Sequence, residues 1–232
     1  MIPAMRDAVS TISIVIPTYH EENTIAGLLD NLESLQPDEV IVVDGGSADR
    51  TVEIASGRVR VIGTQTSRAV QMNAGARAAT GNVLLFVHAD SRFRPAALDA
   101  LRSAMRDPAI PGGNFDIIFE GGDWVARTFT SLYRWRRKWG IFYGDSAVFC
   151  RRSVFEHLDG YKPWPVLEDY DFVRRLWKLG PLALLSEPVW SSDRRWRNAG
   201  LVPTLLNWVW IQGLYHLGVS PHRLAGMYRH VR

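Results

Sequence analysis

Residues 11–18, TISIVIPT, decide the fold. Ile12–Ile16 is short and, but for Ser13, apolar and β-branched, as a strand buried on both faces should be, and Pro17 ends it. Working outward, Asn23 is a helix cap, and Ile25, Leu28, Leu29 and Leu32 follow at i, i+3, i+4 and i+7. Pro37 stops that helix. Val40–Val43 is a second strand ending at Asp44. Gly45-Gly46-Ser47 turns the chain, and Asp49 caps a short helix through Ser56. Val59–Ile62 is a third strand. Arg68–Ala79 is a helix of small residues that packs closely, with Gly81 after its end. Val83–Val87 (VLLFV) is a fourth strand, ending at His88-Ala89-Asp90. Pro95 opens a helix carrying Leu98, Leu101 and Met105.

Strands alternating with helices in this way imply an α/β fold, a parallel sheet covered on both faces. Right-handed crossovers make it doubly wound. In a parallel sheet the C-terminal ends of the strands share one edge. Thr18, Asp44 and Asp90, each just past a strand, should therefore line one crevice, where such folds bind ligands.

The chain has 232 residues, enough for one domain with a proper core. Hydrophobic residues are 47% and charged residues 22%, a balance that excludes disordered and fibrous classes. Cys150 is the only cysteine, which excludes a disulfide framework and a Cys-cluster zinc site. The start, MIPAMRDAVS, lacks an apolar signal-peptide core. No apolar run is clean enough to span a membrane; the nearest, Ala199–Val219, carries Asn207, Gln212 and His216.

Charge divides the chain in two. Residues 1–117 hold 10 Lys/Arg against 14 Asp/Glu, and residues 118–232 hold 17 against 10. All nine tryptophans lie at or after Trp124. The second half should thus prefer an anionic or amphipathic partner. Arg127, Arg134, Arg136, Arg137 and Lys138 interleave with Trp124, Tyr133, Trp135 and Trp139. Leu201–Leu217 adds Trp208, Trp210 and Tyr215. Such a surface suits a peripheral membrane contact, although the same aromatics suit a core or a dimer.

The dinucleotide fingerprint and the P-loop are absent after the first strand, which disfavours nicotinamide and P-loop enzymes. There is no G-x-S-x-G elbow, which disfavours an α/β-hydrolase. Two acidic strand ends remain. One carboxylate there can accept from a base edge or a sugar hydroxyl. Another can hold a divalent cation that bridges phosphates.

The runs ISIVIPTYHEENTIAGLL, VVDGGSADRT and SRAVQMNAGARAATGNVLLFVHADS resemble the family-2 glycosyltransferases of the GT-A fold. So do YGDSAVFCRRSVFEHLDGY and VLEDYDFVRRLWKLG, followed by SSDRRW. Within the family the chain most resembles a small bacterial subgroup, the radical-SAM/selenodomain-associated transferases. The resemblance implies one GT-A domain over residues 1–232. Its nucleotide-sugar half is 11–120, and its elaborated acceptor half is 121–232.

The resemblance also assigns residues. Thr18, Tyr19 and Glu21 match the loop that cradles base and ribose, and Asp44 the aspartate that hydrogen-bonds the base. Arg68 and Asn73 match the segment that helps to hold the nucleotide. Asp90 matches the metal-binding last aspartate of the family's D-x-D motif. The first position of that motif is here His88. An imidazole there can contact ribose or bind a metal, and it suits Mn²⁺ better than Mg²⁺. Taken alone, His88 reads equally as a packing residue. Asp169 matches the general base of the E-D motif, with Glu168 beside it. Both begin an apolar-periodic helix, where negative charge is favoured. Asp171 reads as ordinary helix-start charge. Asp145 lies in the stretch that lines the sugar pocket in relatives. Arg194, Arg195 and Trp196 suit diphosphate clamping and sugar stacking.

What the resemblance implies is inverting transfer, helped by Mn²⁺ or Mg²⁺, from a nucleoside-diphosphate sugar, UDP-linked by preference. The acceptor is lipid-linked or anionic. The setting is the cytoplasm, at the inner face of the membrane, with no nucleic-acid partner. Two other classes stay open on the residues. A nucleotidyltransferase would show a Gly-rich basic loop after the first strand, and PTYHEEN is not one. A non-catalytic sugar- or nucleotide-binding module would make Asp44, Asp90 and Asp169 a coincidence.

Overall fold

Strand β1 (Ile12–Thr18) is central and almost wholly buried. Its side chains alternate between two cores. Ile12, Ile14 and Ile16 enter one, and Val15 the other. A strand with an apolar layer on each side favours apolar residues at nearly every position, which is why ISIVI shows no alternation; its one polar residue, Ser13, is buried and donates to Glu39. The computed structural model describes residues 10–121, 123–192 and 201–227.

Pro17 does not end this strand, which runs on to Thr18. The amide groups of Val15 face β4 (Val83–Phe86), as Val87 N–H donates to Val15 O. Pro17, two residues on, faces the same side, but β4 has already ended there. The missing proline N–H therefore leaves no ladder bond unmade.

Helix α1 (Ile25–Leu35) packs its stripe into the first core. Its N-cap is Thr24, not Asn23: Glu21–Thr24 forms a turn, and Thr24 Oγ1 donates to Glu21 Oε2 at 2.7 Å. The helix ends at Gln36 in the left-handed conformation, just before Pro37. Next come β2 (Glu39–Asp44), α2 (Thr51–Ser56), β3 (Arg60–Gly63) and α3 (Arg68–Ala78). Asp49 accepts from the Thr51 N–H and hydroxyl, but the N-cap of the short helix is Arg50, one residue further on. On α3, a methyl group at Gly75 would lie 2.3 Å from Val15 Cγ1, so only glycine lets the helix sit this close.

Beyond β4 the expected parallel order changes. The remaining elements are β5 (Arg92–Phe93), α4 (Ala97–Ala104), β6 (Gly112–Phe119), α5 (Trp124–Arg137), β7 (Val148–Arg151), α6 (Arg152–His157), α7 (Glu168–Trp177), β8 (Ala183–Ser191), α8 (Leu201–His216) and α9 (Pro221–Met227). The sheet order is β3-β2-β1-β4-β7-β6-β8-β5. β7 runs antiparallel between β4 and β6, and β5 antiparallel to β8, so the sheet is mixed. Gly112 and Gly113 allow this junction. A Cβ at Gly112 would meet Phe149 O at 2.3 Å, and one at Gly113 would meet Ala183 O at 2.0 Å. One sheet thus interleaves strands from both halves of the chain.

Candidate active site

β1 and β2 run parallel in register, so Thr18 and Asp44 end them side by side. Thr18 Oγ1 donates to Asp44 Oδ1 at 3.2 Å. The buried Asp44 carboxylate also accepts from the N–H groups of Gly46 (2.9 Å) and Ser47 (2.7 Å) and the Ser47 hydroxyl (2.5 Å). These donors match its lone-pair capacity. Asp44 therefore fixes the Gly45–Ser47 turn at the strand edge. The loop from Tyr19 to Glu22 is pinned over that turn: His20 N–H donates to Ser47 Oγ at 2.9 Å, and Glu21 N–H to Thr51 Oγ1 at 2.8 Å. The Tyr19 and His20 rings meet edge to face at 4.2 Å.

The motifs do not single out Gln71, yet it secures this corner. Its buried amide donates to Thr18 O (2.7 Å) and Val43 O (2.8 Å), tying α3 to two strand ends. The signal was available, since Arg68, Gln71 and Gly75 share one helical face.

Asp90 lies past β4 on a turn closed by Ser91 N–H to His88 O at 3.1 Å. It opens on a cleft of about 330 Å³ walled by Thr24, Gly27, Arg92, Glu120 and Ser192, among others. Asp44 and Thr18 belong to the neighbouring strand ends rather than to this wall.

His88 and Asp169 meet at Gly144, the first residue of a 3₁₀ turn, Gly144–Ser146. A methyl group on Gly144 would lie 3.0 Å from His88 Nε2 and 3.5 Å from Asp169 Oδ2. Gly144 N–H donates to Asp169 Oδ2 at 2.9 Å, and Tyr170 N–H to Asp169 Oδ1 at 2.7 Å. Each oxygen thus carries one backbone donor and keeps a further lone pair. Glu168 and Asp169 do start α7, behind Leu167 in the left-handed conformation. Glu168 is buried and faces Arg68 Nη1 at 3.6 Å, across from the first residue of α3.

Asp171 pairs with Lys162 (2.9 Å) and Arg175 (2.7 Å) and anchors the helix. Asp145 accepts from Tyr133 Oη at 3.1 and 3.0 Å. Burial, and then the Asp145 charge, hold the Tyr133 hydroxyl well above its ordinary pKa, so it remains a donor. Asn73 is engaged with the Tyr161 backbone: its amide exchanges two hydrogen bonds with it, 2.7 and 2.9 Å. Arg194, Arg195 and Trp196 lie outside the described residues.

Among the described residues no group of three His, Cys, Asp or Glu side chains could cage a metal ion. The donor set at this edge is one carboxylate, Asp90, with an imidazole two residues before it. That set fits a cation shared with phosphate oxygens, which needs only one or two protein ligands.

A mixed sheet with acidic strand ends and a carboxylate-headed helix facing them is a glycosyltransferase arrangement of the GT-A type. The chain belongs to the family described as Glycosyl transferase family 2, which residues 13–159 match. It is 31% identical over 181 residues to a PGL/p-HBAD biosynthesis glycosyltransferase of Mycobacterium bovis, covering 69% of this chain and 67% of that one. In fold it resembles the mannosyltransferase PcManGT from Pyrobaculum calidifontis, in complex with GDP-Man and Mn²⁺ (TM-score 0.63, 20% identity, 89% of this chain and 62% of that chain). It also resembles glucosyl-3-phosphoglycerate synthase from Mycobacterium tuberculosis, in complex with Mn²⁺, UDP and phosphoglyceric acid (TM-score 0.62, 22% identity, 91% and 80%). The family match decides for a glycosyltransferase over the two other classes left open by the sequence.

Proposed function

We propose that this glycosyltransferase moves a hexosyl group, with inversion, from a UDP-linked sugar to a hydroxyl of an anionic or lipid-linked acceptor. The observation that carries the reading is the approach of Asp169 and His88 at Gly144. It brings a carboxylate able to take a proton beside the loop that ends in Asp90.

Thr18, Tyr19, Glu21, Asp44 and Arg68 hold the nucleotide in this reading, and Asp145 borders the sugar. Arg194, Arg195 and Trp196 clamp the diphosphate and stack on the sugar. Asn73 supports the site from behind, through Tyr161. Asp90, with His88, would hold a divalent cation, which when bound supplies counter-charge to the departing diphosphate. The imidazole favours Mn²⁺. The acceptor oxygen attacks the anomeric carbon as the carbon–oxygen bond to the diphosphate breaks. Asp169 takes the acceptor proton, and the arginines face the charge left on the nucleoside diphosphate. The similar mycobacterial synthase is in complex with UDP, Mn²⁺ and phosphoglyceric acid, an anion, and this supports the same choice here. We place the chain in the radical-SAM/selenodomain-associated subgroup and in the cytoplasm. Residues 11–120 act as its donor half and residues 121–232 as its acceptor half.

Thermal shift with UDP, GDP and ADP, each with and without Mn²⁺, tests the donor site. A ligand at 100 times its Kd adds about 2.7 kcal/mol of stability. For a chain of this size that is a rise of roughly 5–10 °C. UDP with Mn²⁺ should give the largest rise. The reading fails if no nucleotide shifts the melt, or if Asp90→Ala leaves the metal-dependent shift intact.

A further inference from the structure

We propose that the outward faces of α5 and α8 form one docking surface for an anionic lipid bilayer. α8 packs on α5 through Trp208, whose ring meets Phe129 at 6.4 Å and Tyr133 at 6.2 Å. Gln212 of α8 accepts from Arg136 of α5 at 2.8 Å. With those sides engaged, both helices present apolar side chains to the outside. On α8 these are Leu206, Val209 and Trp210, with Leu217 just past its end, 63% to 83% exposed. Their spacing puts them on one helical face, opposite the buried Ile211. On α5 they are Trp124 and Trp135, 71% and 60% exposed, followed by Trp139 at 64%. So much adjoining apolar surface marks an interaction site.

The charges beside it identify the occupant. Gly140, at φ 69°, presses against the Trp177 ring, where a Cβ would come within 2.4 Å. That contact sets Lys138 and Trp139 beside Trp177 and Lys178. Lys138, Lys178 and Arg127 are exposed and make no ion pair among the described residues. Arg134 and Arg137, by contrast, are both committed to Asp116. A protein–protein contact depletes lysine from its core. A bilayer surface accepts this combination, with indole rings at headgroup depth and ammonium groups on anionic lipid. No helix among the described residues is long and apolar enough to cross a membrane, so the contact is peripheral.

The test is co-sedimentation with vesicles of either pure phosphatidylcholine or phosphatidylcholine mixed with phosphatidylglycerol, whose negative surface attracts basic residues. The protein should pellet with the anionic vesicles, release in high salt, and show a blue-shifted tryptophan emission. Lys138→Gln should weaken binding roughly fivefold. Trp135→Ala with Trp210→Ala should abolish the pelleting while leaving the melting temperature unchanged, because both side chains are exposed. Several results overturn the proposal: no pelleting, equal pelleting with neutral vesicles, or anionic binding that survives the double substitution. So does a concentration-dependent dimer that the double variant dissociates, which would assign the face to a second copy. UDP binding is read separately by thermal shift, so failure here leaves the transferase reading standing.

Discussion

The Gly144 N–H donates to Asp169 Oδ2 at 2.9 Å, joining the Gly144–Ser146 turn to the carboxylate at the head of α7. The absence of a side chain at residue 144 is what lets His88 reach the same place. Position, not only residue type, makes Asp169 a candidate base.

Gly144→Ala should therefore impair transfer more than stability. Its methyl group would sit 3.0 Å from His88 Nε2, tighter than ordinary contact, and would push the imidazole or the turn aside. A displacement of about 1 Å at a reacting centre costs on the order of 100-fold in rate. Steady-state kinetics should show kcat reduced by at least tenfold, while the melting temperature moves by only a few degrees. A large fall in melting temperature with normal kcat would show that the glycine serves the fold.

Asn73 is the position where nucleotide contact and structural support give opposite outcomes. Its side chain spans 88 residues to hold both backbone groups of Tyr161. Asn73→Ala removes two hydrogen bonds and strands buried polar groups, about 2–3 kcal/mol. The melting temperature should drop by roughly 5–10 °C. UDP affinity of the folded protein should stay within about threefold. A tenfold loss of UDP affinity with unchanged melting would return Asn73 to the nucleotide site.

The first four strands were legible because a parallel sheet between two cores writes itself as nearly uninterrupted apolar runs. Each of the first four strands lies within two residues of its expected place. Pro17 and Asn23 misled because each obeys a local rule that its neighbours relax: β4 ends early, and the Glu21–Thr24 turn moves the cap one residue on. The antiparallel β7 and the two-residue β5 were not legible. VFCR is too short to show a period, and its pairing depends on bare backbone at Gly112 and Gly113. In the site, the acidic strand ends and the Glu168-Asp169 pair announce themselves by residue type. Gln71, Gly144 and Tyr133 act through hydrogen bonds and close contacts that arise only once distant segments meet.

Acid sensitivity should concentrate where β1 and β2 begin. Burial pushes the carboxyls of Asp38 and Glu39 up, but local donors outweigh it. Ile12 N–H and Arg102 act on Asp38, the Ser13 hydroxyl and Thr80 on Glu39, and both end below their ordinary values. A folded pKa below the unfolded one means that the unfolded chain binds more protons in that range. This contribution is complete above the unfolded values, about 4. It disappears as pH falls through the lowered folded values. Melting temperature should thus fall from pH 6 to pH 3, and Glu39→Gln should fall less over the same range. An identical pH dependence in the variant would exclude Glu39 as a source of the acid limb.

Asp169→Asn separates proton removal from everything else that the site does. The amide oxygen can still accept one of the two backbone N–H groups now held by the carboxylate. What is lost is the ability to take a proton. A positioned general base contributes about 10² to 10⁴-fold in rate. Transfer should fall by that factor, about 3–5 kcal/mol of barrier. The proposed UDP site lies on strand ends that Asp169 does not touch, so UDP affinity should be nearly unchanged. Glu168→Gln is the companion variant. It removes the charge facing Arg68 at 3.6 Å and leaves the proposed base in place. It should raise the donor KM through Arg68 and lower kcat far less than Asp169→Asn. Both must be measured on protein whose melt matches the wild type. Near-normal turnover in Asp169→Asn would move the base to Asp145, the other carboxylate on the Gly144 turn. Joint loss of UDP binding and turnover would make Asp169 a donor contact or a helix-start anchor.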